Sequence, residues 1–188
     1  MTQRSAIVIA LMSVSVSALS CGSSGGGGGS SSGVCSDLMN YKATTTTQLS
    51  FATDILPILQ DMSGTTGPSC AFVSICHGTP AVNLYKPGAG TATLSFAGDA
   101  ATVKAMLLAK SVNDPSMARV SPGDVGGSFL AHKISGKDAL TCSTLTCTGN
   151  TMNMMTACGD PMPSSGVGML SDANRTKILD WIAQGAKD

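Results

Sequence analysis

Ser69-Cys70-Ala71-Phe72-Val73-Ser74-Ile75-Cys76-His77-Gly78 sets one of the chain's two histidines directly after a cysteine. Two cysteines ahead of an adjoining His are the chemistry of c-type haem attachment, where the thiols become thioethers on the haem vinyls and the imidazole is aimed at the iron. The usual spacing is Cys-x-x-Cys-His. Here five residues separate Cys70 from Cys76, so three must loop out if both sulfurs are to reach one porphyrin. Taken alone, the motif favours an ordinary disulfide from Cys70, with His77 at the surface. A zinc site built from Cys70, Cys76 and His77 has no evident fourth ligand.

Far downstream, Cys158-Gly159-Asp160-Pro161-Met162-Pro163 frames a methionine between two prolines. A thioether meant as an axial iron ligand needs a stiff loop, because Met is flexible and its sulfur is a weak donor. The bland alternative is core filler, the expected fate of most of the eleven Met residues, with Met152, Met154 and Met155 as examples. His132, near a helix end and expected to be partly exposed, reads as structural rather than as a second ligand. Arg175 falls within an apolar arc, where it could meet a haem propionate or, by default, snorkel its head to water. No Ser-His-Asp, Walker or His-Glu-x-x-His arrangement is present, and the chain contains no Glu at all. The expectation is that the protein is not an enzyme.

The elements that must position these residues are helical. Asp54 can cap a helix over Ile55 to Met62 with Pro57 in its first turn, or a kinked helix can start from Ser50. Asp99 can cap a helix through Lys110, with Val103, Met106, Leu107 and Lys110 on one stripe. Ser121-Pro122-Gly123-Asp124 and Gly126-Gly127 make a turn, after which Ser128 starts a short helix carrying Phe129, Leu130 and Ile134. The last helix begins at Ser171 and Asp172 and leaves at Gly185, with Ile178, Leu179, Trp181, Ile182 and Ala186 on one arc. No run of alternating β-branched residues rivals these helices, so the class is mainly α with long loops.

Composition bounds the rest. At 188 residues the chain is one domain with tails. Eleven Lys and Arg balance eleven acidic residues, and only 12% of residues are charged. Without a basic surplus to displace counterions from phosphate, nucleic acid is excluded as a partner. Seven aromatic residues leave aliphatic side chains to fill the core. Residues 1–20 read as a signal peptide, with an uncleaved anchor as the alternative. Cleavage after Ala18-Leu19-Ser20 resembles a bacterial lipoprotein signal, which would leave Cys21 as a lipidated N-terminus; such signals usually carry Leu where Ala18 stands. Gly22 and the Gly/Ser run that follows predict a flexible tether over 21–47 and a folded domain over 48–188. The expected location is therefore the cell envelope, exported and lipid-anchored on the periplasmic face or at the outer membrane.

The order of Phe51, Asp54-Ile55-Leu56-Pro57-Ile58-Leu59 and Cys76-His77-Gly78 resembles the start of planctomycete-type and related cytochrome c domains of bacterial exported proteins. Val120-Ser121-Pro122-Gly123-Asp124, Ser128-Phe129-Leu130, Met162-Pro163, Leu170 and Trp181-Ile182-Ala183-Gln184-Gly185-Ala186 are similar to that family's later half. The family's Cys pair is closer together than Cys70 and Cys76. The resemblance implies a small cytochrome c-like helical domain around one covalently attached haem c, held by Cys70 and Cys76, with His77 and Met162 as axial iron ligands. It also implies one-electron transfer with redox partner proteins, and a haem whose apolar surface offsets the scarcity of aromatics. With Cys21 lipidated, Cys35, Cys142, Cys147 and Cys158 remain for two disulfides in any of three pairings. The rival expectation is a haem-free, disulfide-stapled lipoprotein acting as a structural or interaction module.

Overall fold

The computed structural model describes residues 35–61, 94–136, 145–147, 158, 162–163 and 170–188, and these are mainly helical. In chain order the elements are α1 (Ser36–Met39), a π-turn (Phe51–Ile55) running into α2 (Leu56–Gln60), α3 (Ala100–Leu108), α4 (Phe129–Ile134) and α5 (Asp172–Ala183). Among the described residues there is no strand, only isolated bridges that join Lys110 to Ala118, Ala118 to Ser128 and Ser121 to Asp124. Nor is any helix among them long and apolar enough to cross a membrane.

Ser50, not Asp54, caps the first long helical segment. Its Oγ accepts the Thr53 N–H at 3.4 Å, and the Asp54 carboxylate accepts the Ser50 N–H at 2.9 Å. This is a capping box stretched by one residue. Pro57 supplies the cause: it has no N–H to give and crowds the carbonyl four residues before it, so the preceding turn widens and the Leu56 N–H bonds the Phe51 carbonyl instead. The expected helix over 55–62 is thus corrected to the kinked form from Ser50, ending at Gln60.

The other ends follow from local chemistry. Asp99 Oδ1 accepts the Thr102 N–H at 2.8 Å and starts α3. That helix stops at Leu108 rather than Lys110 because the returning chain takes its last carbonyls: Val120 N–H to Leu107, Arg119 N–H to Ala109, and the Arg119 guanidinium to Met106 at 2.8 Å. Ser171 Oγ accepts the Asn174 N–H at 3.2 Å to start α5. Its exit pairs Gly185 N–H with Ile182 and Ala186 N–H with Trp181, a Schellman arrangement made possible by Gly185 at φ +96°.

The core lies where α5 crosses the π-turn. Trp181 and Phe51 are both buried, with ring centroids 5.2 Å apart, a contact worth about 0.5–1.5 kcal/mol beyond area burial. Ile55, Leu59, Val103, Leu107, Leu130, Ile134, Ile178 and Ile182 belong to the same main cluster. Trp181 Nε1–H and the Phe51 N–H both donate to the Lys187 carbonyl, tying the C-terminal end to the start of the π-turn.

Residues 35–47, expected to belong to the flexible tether, are folded. Leu38 joins the main core, and Tyr41 Oη and Thr44 Oγ1 donate to the two oxygens of Asp180 at 2.8 and 2.6 Å. The Thr44 N–H donates to Asp180 as well. Gly126 packs against this segment so closely that a Cβ there would lie 2.8 Å from Met39 Cα. A carboxylate on α5, rather than apolar burial alone, draws a Thr-rich stretch onto the helix. Residues 1–20, expected to form a signal segment, and residues 21–34 of the expected tether lie outside the described residues.

Candidate functional site

α4 is buried on every face because it lies between two clusters. Leu130, Ala131 and Ile134 face the main core, whereas Phe129 belongs to a smaller cluster with Cys35, Leu145 and Cys158. A helix so placed must satisfy its polar side chains internally. His132, 0% exposed, has Nε2 2.7 Å from the Gly126 carbonyl; a carbonyl only accepts, so Nε2 carries the proton. The expectation of a partly exposed His132 is corrected, and its structural reading stands on this bond. Lys133 is 6% exposed, and its ammonium donates to the Cys158 carbonyl at 2.9 Å.

Cys158 is bonded to Cys147, with Sγ atoms 2.01 Å apart. Both ends of the bridge are anchored to the 111–117 turn. Asn113 Nδ2 donates to the Cys158 carbonyl at 3.3 Å, and buried Asp114 accepts the Thr146 N–H at 2.8 Å and its hydroxyl at 3.1 Å. Burial alone would raise the Asp114 carboxyl, but hydrogen bonds from Ser116 and Thr146 outweigh it and hold the group below its ordinary range. Cys35 is disulfide-bonded too.

Met162 is half-buried against the main core, and its N–H donates to the Lys133 carbonyl at 3.0 Å. Pro163 beside it is buried, and the peptide between them is cis. The structure thus brings Met162, α4 and the Cys147–Cys158 bridge together. Cys21, Cys70, Cys76, His77 and Cys142 lie outside the described residues. Among those described, no three His, Cys or Asp side chains gather as metal ligands do. Arg175 reaches back one turn to Asp172 at 2.8 Å on the partly exposed edge of α5.

Lys133, Asp114 and Asp180 went unread in the sequence. Asn113-Asp114-Pro115-Ser116 does carry an Asx-turn signal, with Asp114 accepting from Ser116 two residues on. For Lys133 no local signal exists, because its ammonium reaches a segment 25 residues away.

The chain matches no protein-family model, no curated protein and no solved structure.

Proposed function

We propose that the protein is an exported, lipid-anchored, cytochrome c-like electron-transfer protein carrying one covalently attached haem. The observation that carries the reading is the state of Met162: a soft thioether at the edge of an apolar core, on a chain segment fixed by the Lys133 carbonyl. This fits the thioether donor of Met/His-ligated cytochromes c. His77, beside Cys76, is the imidazole next to the attachment cysteine, whereas His132 is buried on α4 with Nε2 on the Gly126 carbonyl. In this reading Cys76 and Cys70 would hold the group by thioethers, and His77 and Met162 would supply its imidazole and thioether donors. When bound, haem supplies a ferric/ferrous couple, and a Met ligand raises its potential. Met162 is half-buried where it packs against the main core. The partners would be redox proteins, and the membrane would be reached through lipid on Cys21.

A second reading has its own observation. Cys147–Cys158 and the bonded Cys35 sit in one small cluster with Phe129 and Leu145, which suits a haem-free, disulfide-stapled module. The absorption spectrum and intact mass of protein exported by a host with working cytochrome c maturation decide between the two. The electron-transfer reading expects haem bands and one haem mass in the wild type, and their loss in His77→Ala. Met162→Ala should keep the haem, lower the reduction potential and admit external ligands. Wild-type protein with neither bands nor added mass leaves the haem-free module.

A further inference from the structure

Lysine is rarely buried, because an ammonium out of water must be met by well-placed acceptors. Lys133 is buried nonetheless, and both of its polar ends serve the same short stretch of chain. Its ammonium donates to the Cys158 carbonyl at 2.9 Å and lies 5.9 Å from the Phe129 ring centroid. Its main-chain oxygen accepts the Met162 N–H at 3.0 Å. Space-filling does not explain this choice, since Met or Leu would pack against Phe129 without the desolvation penalty. What lysine adds is reach and charge: a bond to the carbonyl of the disulfide cysteine from the residue that also anchors Met162.

We infer that Lys133 is a positioning residue for the Met162 thioether. It grips the chain at Cys158 and again at Met162, while Asp114 and the Cys147–Cys158 bridge hold the neighbouring described residues. The inference rests on the reading of Met162 as an axial ligand. A weak thioether donor depends on being held in place, because the apparent strength of a ligand falls with the fraction of time it occupies the binding-competent position.

The test uses the full exported chain and two variants. Lys133→Met keeps the stem and the main-chain bond but removes the charged donor; Lys133→Arg restores a charged donor. The first readout, amide hydrogen exchange at Met162, needs no haem, and Val120, whose N–H is bonded to the Leu107 carbonyl and not to Lys133, is the internal reference. Exchange at Met162 should quicken roughly tenfold or more relative to Val120 in Lys133→Met, the range set by a charge-assisted hydrogen bond, and return toward wild type in Lys133→Arg. In haem-loaded protein the reduction potential and the thioether-to-ferric-iron charge-transfer band should fall and recover in the same order. Unchanged exchange at Met162 in folded Lys133→Met overturns the inference. Should that variant fail to fold, an unprotected Met162 amide in the wild type overturns it equally. Absence of haem would instead sink the electron-transfer reading, with the exchange data still deciding the role of Lys133.

Discussion

Asp180 shows how one residue can hold a distant polar stretch of chain against a helix. It is 2% exposed on α5, yet it accepts from Tyr41 Oη, Thr44 Oγ1 and the Thr44 N–H. Burial by itself would raise its carboxyl; the bonds from Thr44 and Tyr41 outweigh burial and hold it below the ordinary carboxylate value. Tyr41 is pushed upward, first by burial and then by the adjacent carboxylate. A group whose pKa is depressed on folding contributes stability that is fully present above its unfolded pKa of about 3.9 and is lost as pH falls through the folded value. Stability should therefore be flat near neutrality and decline below about pH 4, with Asp114 adding to the same slope. Asp180→Ala strands three donors and should lower the unfolding free energy by about 3 kcal/mol, measured by urea titration at neutral pH. It should also expose the 35–47 segment to proteolysis. Asp180→Asn, which cannot titrate, should flatten the acid limb; an unchanged limb would assign it to other carboxylates.

At the level of elements, legibility tracked how local each stabilising interaction is. Asp99 on α3, and Ser171 with Gly185 on α5, were readable because a cap and its amide lie within three residues of each other. The kink at Pro57 was legible as an alternative, but the capping residue was misassigned: a π-turn lengthens the box by one residue, and sequence periodicity assumes an α-helical rise. α1 was not legible at all. Leu38 is its only buried residue, set within Ser- and Thr-rich sequence, and what holds the segment comes from far along the chain: Gly126 packs against Met39, and Asp180 accepts from Tyr41 and Thr44 just beyond the helix. The burial of α4 on both sides was invisible for the same reason, since the second cluster is assembled from Cys35, Leu145 and Cys158. Because α5 supplies Trp181 and Asp180 together, its cap carries more than its own helix. Ser171→Ala should cost about 1 kcal/mol, and it should shift the urea midpoint without changing the slope, as expected if α5 and the core unfold as one unit.

For the whole molecule the seven cysteines are the most informative set of residues. Cys147 and Cys158 are joined, and Cys35 is bonded. If Cys21 carries lipid and Cys70 and Cys76 carry haem, elimination leaves Cys142 for Cys35. Cys35 and Cys158, one cysteine of each bridge, then share the Phe129 cluster beside α4. Non-reducing peptide mapping of exported protein should then recover Cys147–Cys158 and Cys35–Cys142 pairs, a lipid adduct on the Cys21 peptide and a haem adduct on the peptide containing Cys76. Replacing Cys147 and Cys158 together by Ser should lower stability by roughly 2–4 kcal/mol. In haem-loaded protein it should also weaken Met162 ligation, because Cys158 would lose one of the two anchors that present its carbonyl to Lys133. The haem-free module predicts a different pattern, with Cys70 joined to Cys76 and no adduct on either. A bridge from Cys35 to Cys70 or Cys76 would be the most damaging result for electron transfer, since it removes an attachment point for haem and draws the Cys-His segment toward the Phe129 cluster. The same digest therefore decides the lipid anchor, the bridge pattern and the cofactor.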